Sequence, residues 1–256
     1  MMTETQPEFF DAPHGPRLAF RRSPGSGPGL VWLGGFRSDM EGGKATTLHD
    51  MAIEDRRAFI RFDYSGHGAS SGEFADGKIG DWAADSIAVL DHLTQGPQIL
   101  VGSSMGGWTA LLTALARPDR VAGLVLIAPA PDFTEALMKP ELPEEALAEI
   151  AEKGVWMQPS DYGYDPSPIT KTLLEDGAKH CLLGKGGIGV TAPVRILQGM
   201  QDPDVPWRHA FRLVEELESG DVVFSLIKDG DHRLSREADL DRLKQTVRAL
   251  AAERAE

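Results

Sequence analysis

Short apolar runs bounded by turn residues recur along the chain, each the length of a buried strand rather than of a helix. They are Leu30–Leu33, Ala58–Phe62, Gln98–Val101, Val121–Ala128, Val194–Leu197 and Val222–Ile227. Arg17–Arg22 is expected as an edge strand, with Pro24–Gly29 as the turn behind it. Between the runs lie stretches of helix length, Lys44–Glu54, Ile79–Leu93, Met105–Ala116, Arg208–Leu217 and Ser235–Ala252, the last with Ser235 as its expected cap. Strands that alternate with helices predict an α/β architecture, a mostly parallel central sheet with helices on both faces.

The stretch Asp132–Thr191 breaks this rhythm. Glu144–Glu152 has helical spacing, but a Pro-, Gly- and Tyr-rich passage without clear periodicity follows it. The segment reads as a small lid inserted between two strands, so the expected division is core 1–131, lid 132–191 and core 192–256. No internal repeat or low-complexity segment interrupts that division.

Composition narrows the class of protein. With 256 residues, 41% of them hydrophobic and 25% charged, one main soluble domain is expected. The formal net charge of -13 opposes binding to phosphate backbones, so nucleic acid is not expected as a partner. The single cysteine, Cys181, excludes an intramolecular disulfide, and no zinc-type spacing surrounds it. The first ten residues carry two acidic side chains and no basic one, which points to a cytoplasmic protein rather than a secreted or imported one. No apolar stretch approaches the roughly 20 residues of a membrane-spanning helix.

The strongest chemical signal is Gly102-Ser103-Ser104-Met105-Gly106, placed directly after one expected strand and directly before an apolar helix. A serine on such a turn is exposed as a nucleophile, and small residues two positions to either side let the backbones pass. The alternative is a Gly-rich helix start that only closes a turn or binds an anion. A serine hydroxyl needs a histidine to take its proton and a carboxylate to orient that histidine, in the chain order serine, acid, histidine. Only His180, His209 and His232 follow Ser104. His232 lies in the loop between the last expected strand and the terminal helix, whereas His209 sits in a helix start and His180 in the lid. Asp202 lies in the loop after Val194–Leu197, where open α/β sheets place their sites, with Asp204 as its near competitor. Asp229 and Asp231 read as groups that cap or solvate the histidine loop, and His67 as a group that structures a loop near the mouth. The backbone amides of Phe36 and Met105 are the expected oxyanion donors. In the lid, Phe133, Leu137, Met138, Val155, Trp156, Met157, Tyr162 and Tyr164 supply apolar material for an acyl chain, with Trp156 and Met157 as the candidate substrate contacts. Trp108 reads as core.

These motifs, with Ile60-Arg61-Phe62-Asp63-Tyr64-Ser65-Gly66, Lys153-Gly154-Val155-Trp156, Val205-Pro206-Trp207 and Asp231-His232-Arg233, resemble one branch of the alpha/beta-hydrolases. It is the branch of the mitochondrial palmitoyl-protein thioesterase, also described as mycophenolic acid acyl-glucuronide esterase. The resemblance runs from about Leu30 to the terminal helix. It implies the alpha/beta-hydrolase fold, hydrolysis of S-acyl thioesters and acyl-glucuronide esters, Ser104, Asp202 and His232 as the triad, and no cofactor or metal. An S-acylated protein is an implied partner beside small acyl esters and thioesters. Gln198 and Gly34 depart from the branch, where relatives often have His and Pro. The residues leave open a general carboxylesterase for small esters, a peptidase and a non-catalytic binder of acyl ligands.

Overall fold

The structure is a computed structural model that describes residues 6–159 and 166–254. Eight strands form one sheet in the order β1-β2-β4-β3-β5-β6-β9-β10. These are β1 (Glu8–Asp11), β2 (Arg17–Ser23), β3 (Ser26–Leu33), β4 (Arg57–Phe62), β5 (Gln98–Ser103), β6 (Val121–Ile127), β9 (Val194–Gly199) and β10 (Val222–Ile227). From β4 to β10 every neighbouring pair is parallel, while β1 with β2 and β2 with β4 are antiparallel. Along β5, Ile99 and Val101 pack on one face and Leu100 on the other. Both faces are covered, so the strand reads as a continuous apolar run instead of an alternation.

Helices α2 (Ile79–Leu93), α3 (Met105–Ala116) and α7 (Trp207–Glu216) cover one face through Trp82, Leu90, Trp108, Leu111 and Leu213. Helices α1 (Gly43–Glu54) and α8 (Glu237–Glu253) cover the other through Leu48, Met51, Leu243 and Val247.

Three boundaries differ from the sequence expectation. Arg17–Arg22 is not the edge, because β1 pairs outside it from Glu8↔Phe20 to Asp11↔Arg17. Ser26–Gly29 is strand rather than turn, joined to β4 across a register shift between Ser26 and Leu30. Helix α8 starts at Glu237 and not after Ser235, whose hydroxyl is spent on the Arg233 carbonyl at 2.9 Å. Arg236 takes the cap position instead, its amide donating to the Asp239 carboxylate.

Between β6 and β9 the chain forms an insert: a π turn at Thr134–Met138, the short α4 (Lys139–Glu141), α5 (Glu144–Lys153), a hairpin of β7 (Val155–Gln158) with β8 (Ser167–Thr170), and α6 (Lys171–His180). Helix α5 matches the expected Glu144–Glu152 and stops where Gly154 takes a φ of 82° and returns its N–H to the Ile150 carbonyl. Thr170 caps α6 by accepting from the Leu173 amide at 3.1 Å. Leu142, Ala146, Ile150, Ile169 and Leu174 give this insert a small core of its own. Tyr162 and Tyr164 lie outside the described residues.

Candidate active site

Ser104 sits between β5 and α3 with φ 54° and ψ −117°, a conformation that L-residues rarely adopt. The turn is held from both sides. The Ser104 amide donates to the Ile127 carbonyl at 2.9 Å, and the Ser104 carbonyl accepts from the amides of Gly107 (2.9 Å) and Ala130 (3.1 Å). The flanking glycines are required by space: a Cβ on Gly102 would stand 2.3 Å from the Gly106 carbonyl oxygen, and one on Gly106 would stand 2.1 Å from that of Leu33. The sequence leaves no other residue type for this bend.

The loops after β9 and β10 bring the other two groups to the serine. His232 Nε2 lies 3.1 Å from Ser104 Oγ, and His232 Nδ1 lies 2.8 Å from Asp202 Oδ2. The Asp202 side chain is fully buried, that of His232 about a quarter exposed. Asp202 Oδ1 accepts from the amides of Asp204 (2.9 Å) and Val205 (2.8 Å), and Oδ2 accepts from Gln198 Nε2 (3.1 Å) as well as from His232. A carboxylate has about four acceptor sites, and here all four are taken. Gln198 lies at the end of β9, wholly buried, and its amide also donates to the carbonyls of Gly199 and Val205. Nothing in the chain pattern marks a glutamine there as part of the site.

Asp202, Asp204 and His232 each offer a ligand atom within 4.8 Å of the others, the one such cluster among the described residues. The full occupancy of Asp202 suits a carboxylate that orients an imidazole better than one that binds a cation. Asp204, exposed, enters the network through its amide. Asp229 pairs with Arg236, and Asp231 accepts from the Leu234 amide. His209 is buried and bonded to the Pro131 carbonyl, and His180 faces Asp176.

A cavity of about 560 Å³ opens over Ser104, lined by Phe36, Phe133, Leu137, Met138, Leu142 and Trp156, with Glu141, Gln158 and Asp204 at its polar parts. Trp156, a candidate substrate contact in the sequence, lines this cavity. Met157, next along β7, points to the opposite face of the hairpin and is 49% exposed. Trp108 is core, its indole N–H donating to the His180 carbonyl. A larger cleft of about 780 Å³ lies at the other end of the strands beside Gly29 and Gln98, away from this cluster. Size alone does not mark the site.

Among the described residues, neither the Phe36 nor the Met105 amide has a hydrogen-bond acceptor. Phe36 follows Gly35, which packs against Ser104, and Met105 opens α3. Two unpaired donors thus flank the serine, one from the turn after β3 and one from the start of α3. Lys44 braces the histidine loop from the far side, its ammonium donating to the Arg233 carbonyl at 2.5 Å. Burial pushes that ammonium down to about 8 against the pull of Asp231. Cys181, the lone thiol, donates to the Gly177 carbonyl, and burial raises its pKa.

Comparison with known proteins decides the family. The family described as serine aminopeptidase, S33, matches residues 45–172. The mitochondrial palmitoyl-protein thioesterase ABHD10 of Rattus norvegicus is 41% identical over 247 residues, which are 95% of this chain and 82% of that one. The chain belongs to the alpha/beta-hydrolases, in the ABHD10 branch. A crystal structure from Agrobacterium vitis S4 superposes with a TM-score of 0.91 at 44% identity, covering 96% of this chain and 98% of its own. Mouse alpha/beta hydrolase domain-containing protein 10 gives 0.88 at 40% identity, covering 97% and 99%. The chain is accordingly a hydrolase that acts on ester or thioester bonds.

One expectation is corrected. The rat, mouse and bovine relatives are named mitochondrial, which overturns the cytoplasmic reading. That reading rested on an acidic N-terminal stretch, which describes the charge of that segment and not the compartment. Among the described residues no helix is long and apolar enough to cross a membrane.

Proposed function

We propose that the chain removes acyl groups from thioesters of long-chain fatty acids, S-acylated cysteine among them, through an acyl-enzyme on Ser104. The observation that carries this is the 3.1 Å contact of His232 Nε2 with the hydroxyl of Ser104, a residue of strained backbone, in a cavity to which six large apolar side chains contribute. His232 takes the hydroxyl proton as Ser104 Oγ attacks the acyl carbon, and Asp202 holds the imidazole in the tautomer with its free lone pair on Nε2. The amides of Phe36 and Met105 bind the alkoxide that forms on the carbonyl oxygen. When the intermediate collapses, the C–S bond breaks and the Nε2 proton goes to the departing thiolate. A water then attacks the acyl-serine with His232 again as base, and the fatty acid leaves.

The lining of Phe36, Phe133, Leu137, Met138, Leu142 and Trp156 suits the acyl part rather than a polar leaving group. The relatives named palmitoyl-protein thioesterase favour the same substrate class. Each methylene that enters such a cavity contributes about 0.8 kcal/mol, so kcat/KM should climb with chain length until the cavity is full.

A fluorophosphonate probe should label wild-type protein at Ser104 and leave Ser104→Ala unlabelled. A series of acyl thioesters from four to sixteen carbons should show rising kcat/KM. Preference for the shortest p-nitrophenyl esters would turn the reading to a general carboxylesterase, and fast release of a peptide amine to a peptidase. Equal labelling of both proteins would remove Ser104 as nucleophile.

A further inference from the structure

His67 is buried, far from Ser104 in sequence, and takes no part in the proton relay, yet its ring nitrogens are both engaged. Nδ1 lies 3.2 Å from the Ser65 carbonyl, an acceptor only, so Nδ1 carries the proton. Nε2 is then a bare lone pair, and at 3.3 Å it accepts the backbone N–H of Arg37. Burial lowers the basicity of this imidazole, which keeps Nε2 free of a proton.

Arg37 is the residue after the proposed oxyanion donor Phe36. The Gly35 carbonyl accepts from the Ser38 amide at 3.1 Å, which makes Gly35–Ser38 a turn with Phe36 and Arg37 at its centre. Arg37 takes a φ of 58° there, a value that turns ordinarily assign to Gly or Asn at this position. A β-carbon in that region is strained, and strain persists only where the surroundings impose it. His67 supplies that hold at the amide, while the Arg37 guanidinium also donates to Ser167 Oγ. Its ring also shares one aromatic cluster with the Phe36 side chain: Phe74 and Trp82 lie 5.0 and 6.0 Å from Phe36 and 5.0 and 5.2 Å from His67, measured between ring centroids.

We infer that His67 is a positioning residue of the oxyanion hole: by accepting the Arg37 amide it holds the Gly35–Ser38 turn in the conformation that leaves the Phe36 amide unpaired beside Ser104. The inference rests on the oxyanion assignment proposed above. Without the acceptor, the Phe36–Arg37 peptide is free to rotate toward negative φ at Arg37, and the rotation is passed to Phe36. Displacement of such a donor by about an ångström is enough for a rate loss near 100-fold.

The experiment replaces the acceptor and keeps the ring. His67→Phe preserves an aromatic body in the cluster and removes Nε2. His67→Gln places a carbonyl oxygen where Nε2 was, and His67→Asn reaches only as far as Nδ1. For a medium-chain thioester, His67→Phe should lower kcat about 10- to 100-fold with KM within about twofold of wild type. A trifluoromethyl ketone of the same chain length, which mimics the tetrahedral alkoxide, should bind more weakly by the same factor. Decanoate, a product with no alkoxide, should bind as before. His67→Gln should recover most of the rate and His67→Asn little of it.

Unchanged kcat in folded His67→Phe would overturn the inference, as would equal weakening of ketone and decanoate. If His67→Phe does not fold, the Gln and Asn variants decide the matter, and equal turnover by the two overturns it. A wild-type chain that fluorophosphonate fails to label at Ser104 would overturn the nucleophile assignment, and this inference with it. Normal labelling with His67→Phe as active as wild type would overturn the positioning role alone.

Discussion

Asp202 accepts four hydrogen bonds, from two loop amides, a buried glutamine and the imidazole, and each of them fixes the direction in which its Oδ2 meets His232. Asp202→Asn keeps the shape and presents an NH₂ or a weaker acceptor to Nδ1, which favours the wrong tautomer of the ring. The variant should lose about 10⁴-fold in kcat with KM little changed, measured on the preferred thioester beside a thermal melt that shows the fold retained. The three residues of this relay were legible because each rides on a marked feature: a glycine-flanked serine after a strand, an acid after a later strand, a histidine before the last helix. Gln198 was not legible as a support, because a single amide at a strand end has no spacing to announce it. The direction of Met157 was also hidden, since the pairing of β7 with β8 sets which of two adjacent apolar residues faces the cavity.

The elements divide into a frame and an attachment, and they differ in what holds them. Each face of the large sheet contributes to a broad core, whereas the insert relies on a few residues around Ile150, which is 4% exposed. Ile150→Ala should cost about 2–4 kcal/mol within that small cluster. Hydrogen exchange should then quicken in α5 and α6 while β5 and β6 keep their protection, and KM should rise more for long acyl chains than for short ones. Apart from β1 and the early start of β3 at Ser26, the frame strands could be read from the sequence to within about two residues; β5 runs past the expected Val101 because Gly102 and Ser103 still pair with Leu126 and Ile127. Within the insert only α5 was read. The strands β7 and β8 are four residues each, too short for a period to show, and α6 was signalled mainly by its Thr170 cap. The edge strand β1 escaped for the same reason, four residues with acids at both ends.

At the scale of the whole molecule the net charge of -13 sets a field that every charged substrate meets before the cavity does. An S-acylated peptide flanked by lysines should show a kcat/KM that falls several-fold between about 20 and about 300 mM salt, and one flanked by glutamates should show the reverse, because screening removes attraction in one and repulsion in the other. Steady-state rates on the two peptides across that range check it, and parallel lines would show that the field plays no part. The sign of this field was available from composition alone, while the architecture it surrounds needed the alternation of strands and helices. A protein that spends its life among activated acyl groups also has to avoid becoming their recipient. Thiol chemistry runs through the thiolate, and Cys181, the one sulfhydryl in the sequence, is half-buried and donates to the Gly177 carbonyl, while desolvation raises its pKa. Both features disfavour the thiolate, the form that an acyl donor would have to meet for the enzyme to acylate itself at sulfur.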